Sequence, residues 1–370
     1  MAGKNSFFES EEVKAFNEDI QQYNLGPLWN AIPDLMNKTP DTGAEPYLWK
    51  WETIYQKLME AKEIFTPERG GERRAIYLQN PGLTDRKPWG WGSTTQNLYA
   101  AVQLILPGEK APSHRHTQSA LRFITNGDGA FSTVDGEKMY MNEGDFLVTP
   151  GGLWHGHGHE GDEPMIWMDC LDIPFVYSIG GTFFEPYPDG LQPAKKPDNY
   201  SSHHYEGGMV RPITHREPQV APVGKYTWAQ TKDALDSISQ YEPDPYDGYG
   251  VEYINPSTGE QANPTILAKL LKLPSGFKGK AHRHTDSNIF TVYKGSGYTV
   301  INGQKFEWSK GDYFVIPSWA THEHVVTSSE DAYLFNVSDQ PIMEKFNFQQ
   351  EEAYEENEGH QQITSVFEPK

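Results

Sequence analysis

The chain has 370 residues, enough for two domains, and 31 basic against 51 acidic side chains give it a formal charge of −20. That surplus argues against nucleic acid or an anionic membrane as a partner held by bulk electrostatics. One cysteine, Cys170, excludes an intramolecular disulfide, and with no signal-like or membrane-length apolar run the chain reads as a soluble cytoplasmic protein.

Residues 9–36 read as helical, with apolar side chains at three- and four-residue spacing and Ser10 able to cap the first turn. WKWETIYQKLMEAKEIF, at 49–65, reads as a second amphipathic helix that ends before Pro67, Gly70 and Gly71. Both suit packing or subunit contact. From residue 96 the period changes to short β-type runs, QNLYAAVQLILP, ALRFI, AFSTV, KMYM, DFLVTP and PMIWMDCLDIPF, separated by Gly- or Asp-containing turns. Residues 186–262 are rich in Pro, Tyr and Asp, with one helix expected around TWAQTKDALDSISQY. A second β-series follows, from TILAKLLKLP to AYLFNV. The acidic end, QQEEAYEENEGH, reads as a solvated tail. Many short strands, repeated once, predict a mainly β fold of two tandem jelly-roll barrels behind a helical N-terminal arm. The expected divisions are 1–92 for the arm and lead-in, 93–185 for the first barrel, 186–262 for the connection, 263–350 for the second barrel and 351–370 for the tail.

Within the first β-series stand GEKAPSHRHT and GDFLVTPGGLWHGHGH, and within the second GFKGKAHRHT and GDYFVIPSWATHEH. His114, His116 and His155 are repeated as His282, His284 and His322, 168 (282 − 114) and 167 (322 − 155) residues later. On a strand, H-x-H turns both imidazoles to one face, so a third histidine from a neighbouring strand can complete a metal site inside a barrel. Gly108, Gly127, Gly144, Pro150 and Gly152 punctuate the turns around these residues.

These motifs resemble those of the cupins. Gly108, His114, His116 and Gly127 fit the first cupin motif, and Gly144, Pro150, Gly152 and His155 fit the second. Ala120 stands where that superfamily places a glutamate ligand, and His159 where it places an asparagine. The first site is therefore expected to hold a metal through three neutral histidines, leaving open positions as in non-haem Fe(II) oxygenases. Zinc is the alternative, but no HExxH-like carboxylate accompanies the histidines.

HRHTQSALRFITNGDG, RGGERRAIYLQNPGL and WMDCLDIPF closely resemble the bicupin ring-cleaving dioxygenases, and the resemblance runs over almost the whole chain. It is nearest to the gentisate 1,2-dioxygenases and extends to enzymes cleaving salicylate and 1-hydroxy-2-naphthoate. It implies Fe(II) in the first barrel, an aromatic hydroxy acid and O2 as substrates, and a homotetramer. A 2-hydroxybenzoate offers a carboxylate and a phenolic oxygen to chelate the ion. Arg122, six residues beyond His116, is expected on the same inward face if the strand is unbroken, as an anchor for the substrate carboxylate. Arg73 is expected to reach the site from the arm, in competition with Arg69 and Arg74. His157 is expected to exchange a proton at a ring hydroxyl, and Asp169, in competition with Asp172, to orient a ligand or an arginine. Tyr99 and Ala101 stand where the salicylate-cleaving branch looks to carry tryptophan and glycine, and this favours gentisate and maleylpyruvate as substrate and product.

The second set, His282, His284 and His322, is a further possible metal site, with Asn288 at the glutamate position and Trp319 replacing a motif glycine. The repeat offset puts Phe290 opposite Arg122 and Asn336 opposite Asp169, so catalysis is expected in the first barrel. The alternatives are an oxalate-type bicupin decarboxylase or oxidase, disfavoured by the missing glutamates, and a non-catalytic storage or sensory bicupin.

Overall fold

In a computed structural model the described residues are 9–66, 74–84, 92–206, 212–213 and 221–370. The chain forms two units, divided after Asp41. In the first, the helical stretch expected over 9–36 is two helices, Glu11–Gln21 and Leu28–Leu35. Ser10 caps the first by accepting from the Val13 N–H, while Pro27, which has no N–H to donate, marks the start of the second. Trp29 donates to Asn17 and lies with its ring 6.1 Å from that of Phe16.

The second unit is mainly β, with two jelly-roll barrels, each built from two facing sheets. One sheet of the first barrel runs in the order Lys225–Tyr226, Phe146–Thr149, Ala120–Asn126, Met165–Leu171, Tyr99–Ile105, Arg74–Tyr77. The other runs Phe184–Pro186, Lys110–His116, His155–His159, Ala130–Val134, Glu137–Tyr140. In the second barrel the corresponding sheets are Tyr47–Trp49, Tyr313–Ile316, Asn288–Lys294, Ala332–Ser338, Leu267–Leu273, Tyr249–Glu252, and Glu351–Ala353, His282–His284, His322–Val326, Ser296–Ile301, Gln304–Ser309, Ser365–Val366. No helix among the described residues is long and apolar enough to cross a membrane.

Strand alternation sorts the side chains into separate cores. Ile124, Leu147 and Trp167 pack inside the first barrel, and Phe290, Phe306 and Phe314 inside the second. The opposite faces of the two large sheets meet between the barrels, where the rings of Phe123 and Phe335 stack at 4.1 Å. Cys170 is buried in that middle core.

The edges are exchanged. Tyr47–Trp49 precedes the first barrel in sequence but pairs with Tyr313–Ile316 of the second, while Lys225–Tyr226 precedes the second and pairs with Phe146–Thr149 of the first. A helix follows each of these strands, Trp51–Ile64 and Trp228–Ile238, and its first N–H donates to Asp312 or Asp145 at 2.8 or 3.0 Å. The first of these helices matches the expectation for 49–65 except that Trp49 ends the preceding strand and Lys50 stands between the two. The second begins with a capping box from Thr227 and Gln230.

Residues 351–370 are largely exposed, as their charge suggests, but they are not a free tail. Glu351–Ala353 pairs with His282–His284, Ser365–Val366 pairs with Gln304–Ser309, and Phe367 stacks on Phe306. Backbone pairing and one apolar ring outweigh local acidity here.

Candidate active site

His114 and His116 share strand Lys110–His116, and His155 opens the adjacent antiparallel strand as the register partner of His114. Their ligand atoms lie within 4.8 Å of one another. The Nδ1 atoms face backbone carbonyls: His114 on Pro112 at 3.3 Å, His116 on Gln118 at 2.8 Å and His155 on Leu153 at 3.0 Å. A carbonyl only accepts, so each Nδ1 carries a proton, which leaves Nε2 as the ligand atom. Nε2 of His155 is buried with no hydrogen-bond partner, an arrangement that costs about 1–3 kcal/mol unless a ligand meets it. Burial, and then the charges of Arg122 and of the other two histidines, hold the pKa of His155 well below the usual range, so it is a neutral donor. Three imidazoles with Nδ1 held by carbonyls suit a divalent transition metal. Ala120, buried at the glutamate position of the motif, adds no carboxylate.

The large sheet forms the opposite wall. Its register aligns Tyr77, Ala101, Asp169, Arg122 and Leu147 in one cross-strand row, and such partners share a face. Flanking rows contain Tyr99, Leu171, Ala120 and Thr149 on one side and Gln103, Trp167 and Ile124 on the other. Arg122 Nε lies 2.9 Å from Asp169 Oδ1, with the side chains only 4% and 9% exposed. The Arg122 Nη1 donates to Thr149 at 2.6 Å, and Trp167 Nε1 donates to the second Asp169 oxygen at 2.9 Å. Burial lowers the Arg122 pKa and Asp169 opposes that shift. Arg122 is thus inside, as expected, but not by an unbroken strand: the chain leaves Lys110–His116 and enters the other sheet at Ala120.

His157 shares the inward face with His155, their ring centroids 6.4 Å apart, and its Nδ1 lies 2.9 Å from Ser132 Oγ. Tyr99 stacks on Tyr77 at 5.3 Å, and burial, Tyr77 and Asp169 together raise its pKa, keeping the phenol protonated. Asp172 does other work: it accepts from the Ser119 N–H and from Thr265, joining the two halves, just as Asp339 accepts from the Ser287 N–H and from Asn97. Arg74 is committed to Glu109 and to the Phe65 carbonyl. Arg69 and Arg73 lie outside the described residues. Sequence reading missed Tyr77, Gln103, Ser132, Thr149 and Trp167, whose roles depend on cross-strand register.

The second triad also brings its ligand atoms within 4.8 Å. Its Nδ1 partners differ: His322 faces the Ala320 carbonyl at 3.0 Å, but His282 faces Glu351 at 3.3 Å and His284 faces Asp286, both carbonyl and carboxylate, at 3.0 Å. Burial works against a charged His284, yet Asp286 outweighs it and lifts the pKa to about 9. Phe290 and Asn336 are register partners, occupying the places of Arg122 and Asp169. His324 and Thr299, 2.8 Å apart, repeat the His157–Ser132 pair, so the first barrel is not alone in having such a histidine. The cavity beside this triad is about 130 Å³.

A cupin-domain family model matches residues 101–173 and 269–338. The chain is 39% identical over 344 residues to a gentisate 1,2-dioxygenase of Aquipseudomonas alcaligenes, covering 92% of this chain and 96% of that one. It is 37% identical over 362 residues to a 5-aminosalicylate 1,2-dioxygenase of Comamonas sp., covering 96% and 94%. Among solved structures it is similar to salicylate 1,2-dioxygenase from Pseudaminobacter salicylatoxidans, with a TM-score of 0.86 and 33% identity over 93% of this chain and 98% of that one.

Proposed function

The chain belongs to the bicupin ring-cleaving 1,2-dioxygenases, and we propose that it cleaves gentisate with O2 to maleylpyruvate, using Fe(II) held by His114, His116 and His155. One observation carries this reading. The first triad of neutral histidines faces a buried Arg122–Asp169 pair, and the second barrel has Phe290 and Asn336 in its place. The family removes the storage and sensory alternative.

A ferrous ion at this site supplies Lewis-acid binding of an anionic chelate and electron transfer to dioxygen. The side chains supply position and charge. Arg122 anchors the substrate carboxylate in a setting that excludes water, where a charge-assisted bond is strong. Asp169 and Thr149 fix its guanidinium, and Trp167 fixes Asp169. His157, braced by Ser132, exchanges a proton with a ring hydroxyl. Arg73 is proposed as a second cation on the resemblance alone, since it lies outside the described residues.

Gentisate is favoured because Ala101 is next to Asp169 in the wall and its methyl narrows the space there, with Tyr99 two residues along. 5-Aminosalicylate is the second reading, favoured by the relative named for it, since it has nitrogen where gentisate has its para hydroxyl. Salicylate and 1-hydroxy-2-naphthoate rank below both. The test is anaerobic reconstitution with Fe(II), then oxygen uptake and product identification with all four acids. The highest kcat/KM is expected for gentisate. Preference for another acid would overturn the pocket argument, and no uptake with any would overturn the iron-dioxygenase assignment. The resemblance further supports a cytoplasmic homotetramer, for which sedimentation of the purified protein should give four chains.

A further inference from the structure

We infer that the second barrel holds its own divalent transition-metal ion, zinc by its donor set, in a closed four-ligand centre made by His282, His284, His322 and Asp247. The two triads share a backbone plan but differ on both sides of the rings. On the outer side, the first triad turns all three Nδ1 atoms to carbonyls. The second turns two of them to the carboxylates of Glu351 and Asp286. A carboxylate behind a ligating imidazole fixes its orientation and raises its basicity, strengthening the bond to a metal. Asp286 is itself held by Asn288 at 2.9 Å and Gln349 at 2.7 Å.

On the inner side, Asp247 Oδ1 lies 3.8 Å from Nε2 of His282, the nitrogen turned away from Glu351. Ligands about 2.0–2.1 Å from a tetrahedral zinc are roughly 3.3 Å from each other; the three histidines already lie within 4.8 Å of one another, and Asp247, outside that set, reaches the fourth position by rotation of its carboxylate toward them. The turn carrying Asp247 is fixed before any ion arrives. Asp244 accepts from the N–H groups of Tyr246 and Asp247 at 2.8 and 3.0 Å, and Tyr246 stacks on His282 at 4.8 Å.

The same features remove this centre from ring cleavage. A fourth protein ligand fills the position that a catalytic site keeps open. The adjoining cavity of about 130 Å³ is below the roughly 300 Å³ at which small-molecule pockets begin, and Phe290 replaces the anchoring arginine. The centre instead ties three parts of the second barrel together: strand His282–His284, strand His322–Val326, and the turn before Tyr249–Glu252.

The H114A protein isolates the second centre from the first. Stripped with chelator and titrated with Co(II) and Zn(II), it should bind one ion per chain after desalting, with the intense visible absorption of tetrahedral Co(II). H114A/H322A should bind none. H114A/D247N, altered at a side chain 38% exposed and thus tolerant of the change, should stay folded by circular dichroism and bind Co(II) at least tenfold more weakly with a fainter, six-coordinate spectrum. No retained ion in H114A would overturn the centre, and an unchanged spectrum in H114A/D247N would overturn the fourth ligand. Neither result bears on the first-barrel assignment, which oxygen uptake by the unaltered protein tests separately.

Discussion

Replacing Arg122 and Asp169 by the residues that the second barrel carries at the same register, R122F and D169N, separates packing from chemistry. Both partners are nearly enclosed, with side chains 4% and 9% exposed and a 2.9 Å contact. Removing one partner of such a pair leaves a buried charge and costs about 3–5 kcal/mol. R122F should fall near about 3 kcal/mol, the low end of that range, because Asp169 keeps the Trp167 donor at 2.9 Å. D169N should cost about 2 kcal/mol, since a neutral amide of the same shape keeps a polar oxygen beside the guanidinium. The double variant should lose only about 1–2 kcal/mol, giving a coupling of roughly 3–4 kcal/mol in the cycle. Phe290 and Asn336 already show that this combination packs between the equivalent two strands of the second barrel. Urea unfolding at constant slope reads the stabilities.

Activity should follow a different order. Loss of a charge-assisted bond worth about 1.5–3 kcal/mol lowers kcat/KM for gentisate roughly 10- to 150-fold, and R122F and the double variant should share this loss. D169N should retain more. A double variant as unstable as the sum of the singles would refute the pairing argument. An R122F enzyme within about threefold of the parent in kcat/KM would refute the carboxylate anchor.

Chelation should abolish oxygen uptake, with Fe(II) restoring it and Zn(II) failing to, because only iron supplies electrons to dioxygen. Asp339 gives a pH prediction: burial, and then the charge of Asp286, push its pKa to about 7 in the folded chain, against about 3.9 unfolded. A raised carboxyl pKa means stability present below the unfolded value and lost as pH rises to the folded one, so the parent should lose stability between about pH 4 and 7 relative to D339N. Equal pH slopes in urea would contradict this. G311A should destabilise the chain by about 2 kcal/mol or more, as φ is +90° there and the added Cβ would lie 2.6 Å from Trp51 Cγ, whose helix docks by that glycine. The midpoint of thermal unfolding checks it, and an unchanged midpoint would deny the exchanged segment a part in stability.

The two triads were legible because their signal is local: alternate residues on a strand share a face, and a second short motif returns one more histidine. The offset comparison also identified Phe290 and Asn336 correctly, since it needs no knowledge of sheet order. Arg122 was placed inside by an argument from even spacing that the structure does not support, because a change of sheet separates it from His116. Thr149, Trp167 and Ser132 were missed for the same reason: only the ladder reveals which of many buried residues stand opposite one another. The exchanged strands and the paired acidic end lay further out of reach. Tyr47–Trp49 finds its partner more than 260 residues away, and Glu351–Ala353 is a strand by pairing rather than by composition.

The repeat shows how one scaffold supports opposite electrostatics. Both barrels keep the histidines, the histidine–hydroxyl pair, the aspartate bridging the halves and the tryptophan over a glycine. They differ in where charge is placed. In the first, donors backed by carbonyls leave a bound divalent ion its full charge, and the carboxylate of Asp169 is matched by Arg122, so the wall adds no net negative charge. That local positive field is needed to bring an aromatic carboxylate into a protein with a net charge of −20. In the second, Asp247, Asp286 and Glu351 surround the triad, and Phe290 and Asn336 supply no cation, so an ion held there would be neutralised and an anion would find no partner. Duplication alone would predict two active sites. On the proposed assignment, changing one cross-strand pair and the partners of two imidazoles would leave one.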